Sequence, residues 1–381
     1  MPPNTDIRPR SLRLKATGAA PERDAILEMR PERRDPRSKL RHLEACLSTD
    51  VEYRRTTGLE TLDFVNEALP ELSLAELDTG VELAGRKLRV PLMIAPMTGG
   101  TEEGLAINRR LAALAQRHGL AMGVGSQRIA IERPELMRTY RIRDVAPDIA
   151  LFANFGGAQL VRGYGVDEAR RAVEGIGADA LFVHLNALQE AVQGGDRDFR
   201  GLADRLTGLC RSLDADGIPV FAREIGFGIG ADTARRLLEC GVAGIDCSGA
   251  GGTSWAKVEA CCTDDPVRRQ LGQRFGEWGI PTAQSIVNVR AASQALPLIA
   301  SGGLRSGIDL ARAIALGADV GAMARPFLVA DHAGEAALEQ LVLDTIAELK
   351  VCMFASGAAR ARDLRGRLQS TGLPASPARS A

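Results

Sequence analysis

From residue 86 onward, short apolar runs alternate with amphipathic helical patterns. This alternation constrains the fold more than any other feature, because strands that alternate with helices form βαβ units and a parallel sheet. The pattern predicts eight strands, at 89–96, 120–125, 149–154, 180–186, 218–223, 244–248, 296–301 and 320–324. Helix-like stretches between them lie at 105–117, 167–174, 202–213, 231–240 and 307–315.

Eight strands with intervening helices predict an α/β fold, a closed (β/α)8 TIM barrel with an N-terminal extension. An open, doubly wound sheet is the alternative, because a count of strands does not prove closure. We predict a disordered Arg/Pro-rich arm at 1–36, a segment at 37–85 that packs on the barrel, the barrel itself at 86–360, and a mobile tail at 361–381. The apolar pattern of 334–358 predicts a last helix that packs on the barrel.

The charge balance and the cysteine pattern exclude several classes of function. Lysine plus arginine and aspartate plus glutamate number 48 each, so no overall field attracts nucleic acid or an anionic membrane. The seven cysteines show no C-x-x-C spacing, and no signal peptide or membrane-length apolar span is recognisable. We therefore expect a cytoplasmic protein that has neither nucleic acid nor membrane as a partner.

Polar and glycine-rich segments follow seven successive predicted strands. They lie at 97–100, 125–128, 154–157, 184–186, 223–228, 248–255 and 301–303. In a barrel the carboxyl ends of the strands gather on one face, where enzymes of this fold place their chemistry. One such segment is explained by a turn, but the recurrence indicates an active site on that face.

The loops after the seventh and eighth predicted strands have the composition of a phosphate site. Barrel enzymes commonly bind phosphate in these two loops, beside a helix N-terminus. Ser301, Gly302 and Gly303 allow backbone amides to approach an anion, and Arg325 after Ala324 can add charge-assisted hydrogen bonds. A plain glycine turn is the alternative interpretation.

A planar cofactor at a barrel mouth also needs hydrogen-bond donors along its polar edge. Suitable donors at strand ends are Thr98, Ser126, Asn154, Arg223 and Thr253. A cation at Arg223 would stabilise the negative charge that develops on the pyrimidine edge of a reduced flavin. The alternative is an arginine that pairs with the neighbouring Glu224.

The fourth predicted strand ends in a cluster of imidazole, amide and carboxylate groups. His184, Asn186, Gln189 and Glu190 lie within seven residues of each other. The amides can orient a substrate, and Glu190 can bind Mg2+, which prefers oxygen ligands and keeps several waters. One carboxylate becomes a metal site only if a substrate diphosphate shares the ion. His184 is a candidate general acid, with phosphate binding or packing as alternatives.

Together these motifs resemble the type 2 isopentenyl diphosphate isomerase family, from about Lys39 to the helix near Arg360. The segments that carry the resemblance are 97–100 (Met-Thr-Gly-Gly), 125–127 (Gly-Ser-Gln), 184–190 (His-Leu-Asn-x-x-Gln-Glu), 195–199 (Gly-Asp-Arg-x-Phe), 278–279 (Trp-Gly) and 300–303 (Ala-Ser-Gly-Gly). The resemblance implies an FMN-bound barrel that needs Mg2+ and reduced flavin, with NADPH as the flavin reductant. It also implies a homotetramer or larger homo-oligomer. The implied reaction interconverts isopentenyl diphosphate and dimethylallyl diphosphate by allylic proton transfer, so the expected partner is a small-molecule prenyl diphosphate.

The resemblance also implies roles for individual residues. FMN would contact Pro96, Met97, Thr98, Ser126, Asn154, Arg223, Ser248, Thr253, Gly302, Gly303, Leu304, Ala324 and Arg325. The substrate would contact Ser38, Lys39, Ser126, Gln127, Arg128 and Gln189. The implied catalytic residues are Gln189, His184 and Asn186, and the implied metal ligand is Glu190. In this scheme the side chains mainly position the substrate beside the flavin.

Two positions depart from the family pattern. Ser38 stands where the N-terminal segment of the family carries the arginine of a basic pair that clamps the diphosphate, although Arg37 or Arg41 could substitute. Arg223 stands where the family carries lysine, and arginine brings a wider planar fork. These departures favour, as an alternative, an isomerase-like flavoprotein with an altered prenyl substrate or without activity.

A further alternative is an FMN-dependent 2-hydroxyacid oxidoreductase on the same barrel. Such an enzyme needs a histidine base close to a substrate-binding arginine. The four histidines of the chain are His42, His118, His184 and His332. None of them follows the seventh predicted strand, where that base is expected, which argues against this alternative.

Overall fold

The computed structural model describes residues 37–48 and 50–370. Its eight parallel strands form a closed barrel: Leu92–Ile94 (β1), Ala121–Gly123 (β2), Leu151–Gly156 (β3), Ala180–Leu185 (β4), Val220–Glu224 (β5), Gly244–Asp246 (β6), Leu298–Ser301 (β7) and Val320–Met323 (β8). Closure occurs where β8 pairs with β1, with Ala322 opposite Met93. The predicted (β/α)8 barrel is confirmed, and the open doubly wound sheet is excluded.

Helices surround the barrel and alternate with its strands. The α-helices are Arg37–Ser48, Glu102–His118, Arg128–Glu132, Gly157–Val161, Val166–Glu174, Ala187–Gln193, Leu202–Asp214, Ala231–Glu239, Trp255–Cys262, Pro266–Arg274, Thr282–Ala292, Gly307–Leu316, Arg325–Ala333 and Glu335–Ala355. Shorter 3-10 turns span Leu59–Thr61, Leu74–Glu76, Pro134–Tyr140 and Ala361–Leu364. The five helices predicted from periodicity are all present.

The helix Glu102–His118 shows how the sequence sets the limits of an element. At its start, Thr101 Oγ1 accepts a hydrogen bond from the backbone N–H of Gly104 (3.0 Å), which satisfies one otherwise free donor. At its end, Gly119 has φ 65°, a left-handed conformation that suits glycine. Leu111 and its apolar neighbours face the barrel, so capping and periodicity agree on this helix.

Aromatic rings fill the inside of the barrel. Phe152 and Phe182 stack with ring centroids 4.5 Å apart, and Phe221 meets Phe152 edge to face at 5.1 Å. The antiparallel hairpin Val81–Leu83 and Arg86–Leu88 adds two buried leucines to the same apolar cluster. The hairpin therefore closes the amino-terminal end of the barrel, and a ligand must enter at the carboxyl ends of the strands.

The segments that flank the barrel pack on it from both ends of the chain. The helix Arg37–Ser48 packs against Trp255–Cys262 and Arg325–Ala333. The strand Leu62–Phe64 pairs antiparallel with Leu368–Ser370. Residues 361–370 therefore do not form the predicted mobile tail. Ala361–Leu364 is a 3-10 turn, and the sequence analysis did not recognise Leu62–Phe64 as the partner of Leu368–Ser370. The predicted arm at 1–36 and residues 371–381 lie outside the described residues.

The helix Glu335–Ala355 packs on the barrel, as its apolar pattern predicts. Leu338, Leu349 and Met353 are buried, and the helix contacts Gly307–Leu316. Although it has 21 residues, neither it nor any other helix in the described part of the chain is long and apolar enough to cross a membrane.

Candidate active site

A cavity of about 500 Å³ opens at the carboxyl ends of the barrel strands, a volume typical of small-molecule sites. The residues predicted to contact a flavin that line this cavity are Pro96, Met97, Arg223, Ser248, Thr253, Gly302, Gly303, Leu304, Ala324 and Arg325. Thr98, Ser126 and Asn154 lie at the ends of the neighbouring strands but outside the cavity wall. The structure thus brings most of the predicted cofactor residues together in one place.

The glycine loop after β7 approaches the preceding loop so closely that side chains are excluded. Gly302 has φ 93° and Gly303 has φ 83°. A Cβ atom on Gly302 would overlap the carbonyl oxygen of Gly249, and a Cβ on Gly303 would overlap the backbone of Gly251. The helix Arg325–Ala333 begins directly after β8 beside this loop. Backbone rather than side chains therefore forms this part of the cavity wall, as a phosphate site would require, and phosphate binding here stays a prediction.

Replacement of Gly302 by alanine is expected to weaken FMN binding by at least about tenfold. The new methyl group must move the loop, and its backbone conformation costs about 1–3 kcal/mol in an L-residue. Flavin fluorescence titration of the purified variant measures the affinity. Gly208→Ala is the control, because a Cβ on this helical glycine meets no atom within 4 Å. An unchanged FMN affinity in Gly302→Ala would contradict a phosphate site in this loop.

Two arginines and one carboxylate from distant parts of the chain meet at the end of the cavity that the glycine loop forms. Arg325 Nε donates to the carbonyl oxygen of Cys46 (2.9 Å), and its Nη1 lies 3.5 Å from Glu52 Oε1. Arg305 Nη2 donates to the same Glu52 oxygen (2.9 Å), while Arg305 Nη1 donates to the carbonyl oxygen of Gly303 (2.8 Å). Sequence analysis missed Glu52 and Arg305, because no local pattern places residue 52 beside this loop.

Arg223 lies in the cavity wall and pairs with Asp246 on the adjacent strand. Its Nη1 contacts Asp246 Oδ2, and Ser301 Oγ donates to the other carboxylate oxygen (2.5 Å). The guanidinium carbon stands 5.5 Å from the centre of the Phe182 ring. Burial raises the pKa of Asp246, and the Arg223 cation opposes that rise. The alternative pairing with Glu224 is wrong, because β5 and β6 place Arg223 opposite Asp246.

Glu224 shapes the loop that follows β5. Its Oε2 accepts hydrogen bonds of 2.5–3.2 Å from the backbone N–H groups of Ile225, Gly226, Phe227 and Gly228. Burial outweighs these four bonds and raises the pKa of Glu224 to about 7. Since Ile225 and Gly226 line the cavity, this carboxylate supports part of its wall.

The raised pKa of Glu224 predicts a pH-dependent stability. The folded protein holds this proton more tightly than the unfolded chain, so the stabilisation is complete below about pH 4.5 and is lost as pH rises through about 7. The loss amounts to at most about 3 kcal/mol at 1.36 kcal/mol per pH unit. Urea unfolding from about pH 5 to about pH 8 should show wild type losing stability relative to Glu224→Gln. Parallel pH profiles for the two proteins would contradict the prediction, and the exposed Glu174→Gln serves as the control.

Two of the predicted catalytic residues, Asn186 and Gln189, form a polar chain beside the cavity with the predicted metal ligand Glu190. Asn186 Nδ2 donates to Gln189 Oε1 and to Glu190 Oε1, each at 3.0 Å. Gln189 Nε2 donates to Glu259 Oε1 (2.6 Å), and His42 Nε2 lies 3.5 Å from the same oxygen. Because His42 lines the cavity, this polar chain connects the cavity with the buried Glu190.

Sequence analysis missed Glu259, which joins two helices in this polar chain. It lies in the helix Trp255–Cys262 and is only 5% exposed. Its neighbours Val258 and Ala260 are buried apolar residues. A single carboxylate within a short, largely apolar helix directly after a predicted site loop is the signal that could have identified it.

Glu190 and Asn186 offer oxygen atoms suited to a hard cation. Glu190 is 1% exposed, and its Oε2 accepts from the backbone N–H of Asp196 (2.8 Å). Asn186 Oδ1 is buried and has no hydrogen-bond partner within residues 37–48 and 50–370. In that same part of the chain, no three His, Cys, Asp or Glu side chains group closely enough to hold a metal. An ion here would therefore take most of its ligands from substrate and water, as Mg2+ commonly does.

The side chain of Gln127 makes hydrogen bonds within the fold. It is fully buried; Oε1 accepts from the backbone N–H of Asn154 (2.9 Å), and Nε2 donates to the carbonyl oxygen of Ala172 (2.8 Å). Asn154 in turn contacts His184 Nδ1 through its Oδ1 (2.9 Å). Gln127 therefore supports the position of Asn154 and His184, and its predicted substrate contact stays a prediction.

The remaining predicted residues on the barrel lie around this network. Thr98 Oγ1 is buried and lacks a hydrogen-bond partner among the described residues. The carbonyl oxygen of Ser126 accepts from Tyr140 Oη (2.7 Å), and Arg128 Nε lies 3.7 Å from Glu132 Oε1.

The backbone of Ser38 and Lys39 lies in the helix Arg37–Ser48, but their side chains are outside the described part of the structure. Their predicted diphosphate contacts therefore stay predictions.

Solved structures with this fold include flavoenzymes. The chain resembles mandelate oxidase with (S)-2-phenylpropionate at a TM-score of 0.59 and 18% identity, over 91% of this chain and 97% of that one. It resembles a putative lactate oxidase from Pediococcus acidilactici at a TM-score of 0.57 and 18% identity, over 89% and 88% of the two chains. A family model described as FMN-dependent dehydrogenase matches residues 225–370. The closed barrel and its glycine loops define a (β/α)8-barrel protein, and its carboxyl-terminal part is similar to the FMN-dependent dehydrogenase family.

Curated relatives define the family more narrowly. The isopentenyl-diphosphate delta-isomerase of Synechococcus sp. is 51% identical over 321 residues, which cover 84% of this chain and 91% of that protein. The enzymes of the same name from Stutzerimonas stutzeri and Deinococcus radiodurans are 51% and 44% identical, over 85% and 86% of this chain and 94% and 96% of theirs. The chain belongs to the isopentenyl-diphosphate delta-isomerase family, of the FMN-dependent type 2 that its motifs resemble.

Proposed function

We propose that the protein is an FMN- and Mg2+-dependent isomerase that interconverts isopentenyl diphosphate and dimethylallyl diphosphate. This proposal rests on one observation: two different sites lie side by side at the carboxyl ends of the barrel strands. A cavity with a phosphate-type glycine loop lies next to the polar chain from His42 through Glu259 and Gln189 to Glu190. The first suits a flavin, the second suits a diphosphate with its metal, and the relatives named above carry this activity in their names.

The residues of the cavity fit FMN. The loop at Gly302 and Gly303, with Arg325, would bind the phosphate, while Arg223 would lie near the ring system. The buried Thr98 Oγ1, free of hydrogen bonds to the described residues, offers a donor to a polar ring edge at the end of β1. Bound FMN, kept reduced by NADPH, would supply an acid/base group on the N5 side of the ring for allylic proton transfer.

The side chains of the protein would bind, orient and protect the substrate. Glu190 and the oxygen of Asn186 suit Mg2+ that is shared with the diphosphate, and Lys39 and Arg128 would add positive charge. Gln189, held by Glu259, would fix the C5 unit in one orientation, which lowers the entropic cost of reaching the transition state. His184, oriented by Asn154, would hold a proton at its other ring nitrogen.

An isomerase-like flavoprotein with an altered prenyl substrate is the second candidate. The buried Arg223–Asp246 pair favours it, because the carboxylate offsets part of the positive charge that the arginine offers to a reduced flavin. An FMN-dependent 2-hydroxyacid oxidoreductase is disfavoured. His118 pairs with Glu339 (2.8 Å) on the outer helices, and none of the four histidines lies in the loop after β7.

Proton NMR of isopentenyl diphosphate in D2O tests the proposal directly. Purified protein is incubated anaerobically with FMN, Mg2+ and NADPH. We expect dimethylallyl diphosphate that carries deuterium, and no product when FMN or Mg2+ is omitted. Protein that binds reduced FMN but forms no product would contradict the isomerase and favour the altered-substrate candidate. Product without FMN would contradict the flavin role.

We also propose a homotetramer or larger homo-oligomer. Large apolar side chains on outer surfaces support it: Trp278 is 61% exposed, Val351 55% and Leu343 46%. Closed symmetric assemblies commonly bury such side chains between copies. Light scattering coupled to gel filtration gives the mass, and a monomer at micromolar concentration would contradict the proposal.

A further inference from the structure

We propose that Glu52 determines the affinity of the cavity for an anionic cofactor phosphate: its carboxylate engages Arg305 and Arg325 and so weakens phosphate binding. Both arginines line the cavity at the glycine loop. This inference rests on the proposed FMN function, because the phosphate concerned is that of FMN. It assigns a role to a residue outside the motifs that identify the family.

The contacts of Glu52 are those that a phosphate would need. Arg305 Nη2 donates to Glu52 Oε1 at 2.9 Å, and Arg325 Nη1 lies 3.5 Å from the same oxygen. Arg305 is also tied to the glycine loop through the carbonyl oxygens of Gly303 and Gly251, at 2.8 and 3.1 Å. One carboxylate oxygen therefore bridges the two guanidinium groups beside the predicted phosphate loop.

The backbone fixes Glu52 at this position. Residues 51–53 run antiparallel to 252–254: Tyr53 N–H donates to the carbonyl oxygen of Gly252 (2.9 Å), and Ser254 N–H donates to that of Val51 (2.8 Å). Lys257 Nζ additionally donates to the carbonyl oxygen of Glu52. Because the backbone is held at three points, the Cα atom of Glu52 is fixed within side-chain reach of the two arginines.

The local charges predict the direction of the effect. Two arginines and Glu52 leave one net positive charge at this end of the cavity, whereas a glutamine at position 52 would leave two. A phosphate monoester carries about 1.5 to 2 negative charges at neutral pH, so it gains from removal of the nearby carboxylate. Riboflavin lacks the phosphate and should not respond.

The test compares FMN and riboflavin binding to the flavin-free full-length protein by quenching of flavin fluorescence. Glu52→Gln should bind FMN about fivefold or more tightly than wild type, with riboflavin affinity unchanged. The gain should shrink at high salt, because part of the interaction is exposed to solvent. Glu52→Asp keeps the charge and should retain a ratio of the two affinities close to wild type. Asp144→Asn is the matched control, since Asp144 also pairs with an arginine, Arg109 at 2.7 Å, and lies outside the cavity wall.

Three results would overturn the inference. Equal or weaker FMN binding in Glu52→Gln would show that the carboxylate does not oppose the phosphate. An equal gain for riboflavin would show that the effect does not involve the phosphate. A wild-type protein that binds neither flavin would overturn the flavin proposal itself, and the inference with it. In the first two cases wild type still binds FMN, so the failures are distinguishable.

Discussion

Replacement of Asp246 by alanine is expected to lower the free energy of unfolding by about 3–5 kcal/mol, the usual cost of leaving a buried charge without its partner. Asp246 is fully buried and the Arg223 side chain is only 8% exposed, so most of the guanidinium stays shielded from water when the carboxylate is lost. The change also removes the acceptor of Ser301 Oγ. Urea unfolding of the flavin-free protein measures the loss.

Two further variants separate charge pairing from packing. Asp232→Ala removes an exposed carboxylate that pairs with Arg235 on a surface helix, and it should cost less than about 1 kcal/mol. A double variant with Arg223→Met and Asp246→Leu should recover most of the stability, because no buried charge remains. Little loss in Asp246→Ala alone would contradict the assignment of Arg223 as a buried, paired cation.

Replacement of Glu190 by glutamine is expected to reduce kcat/KM for isopentenyl diphosphate by about a hundredfold or more. Glutamine nearly preserves the shape but removes the charge that suits Mg2+, and a bound metal typically contributes several kcal/mol of transition-state stabilisation. The NMR assay across a range of Mg2+ concentrations measures both activity and metal dependence. The variant should need more Mg2+ for any residual rate.

The control measurements separate metal loss from local misfolding. Since Glu190 Oε2 also accepts from the backbone N–H of Asp196, the thermal midpoint and FMN affinity of the variant must be measured, and both should stay near wild type. The exposed Glu103→Gln should behave as wild type in every assay. A Glu190→Gln enzyme with unchanged rate and Mg2+ dependence would contradict the metal assignment.

The fold could be predicted from sequence because the residue pattern of each βα unit lies within one short stretch of the chain. Strands such as β3 and β4 are largely apolar, as expected for strands buried on both faces, and the helices between the strands follow a 3.6-residue period. The closing pairing between β8 and β1 could only be inferred from the strand count. The strand Leu368–Ser370 was missed because its pairing segment lies some 300 residues earlier in the chain.

The candidate site was predictable only where its residues occur in local motifs. Gly302 and Gly303 could be recognised from the sequence because two adjacent glycines after a strand indicate a tight loop. Their positive φ angles agree with that interpretation. Arg223 was predicted as a site residue and lines the cavity, but its partner Asp246 follows 23 residues later and becomes a neighbour only through strand register. Glu52 and Glu259 come from other loops and helices, so their meeting with Arg305 and Gln189 depends on tertiary packing.

The pairing of Leu62–Phe64 with Leu368–Ser370 has a consequence for biosynthesis. These strands cannot meet until residues 368–370 have left the ribosome, and the edge of β1 cannot be paired until β8 has been synthesised. Contacts of such sequence separation form late and slowly. During translation the nascent protein therefore exposes one unpaired edge of β1, which can template wrong pairing until β8 emerges.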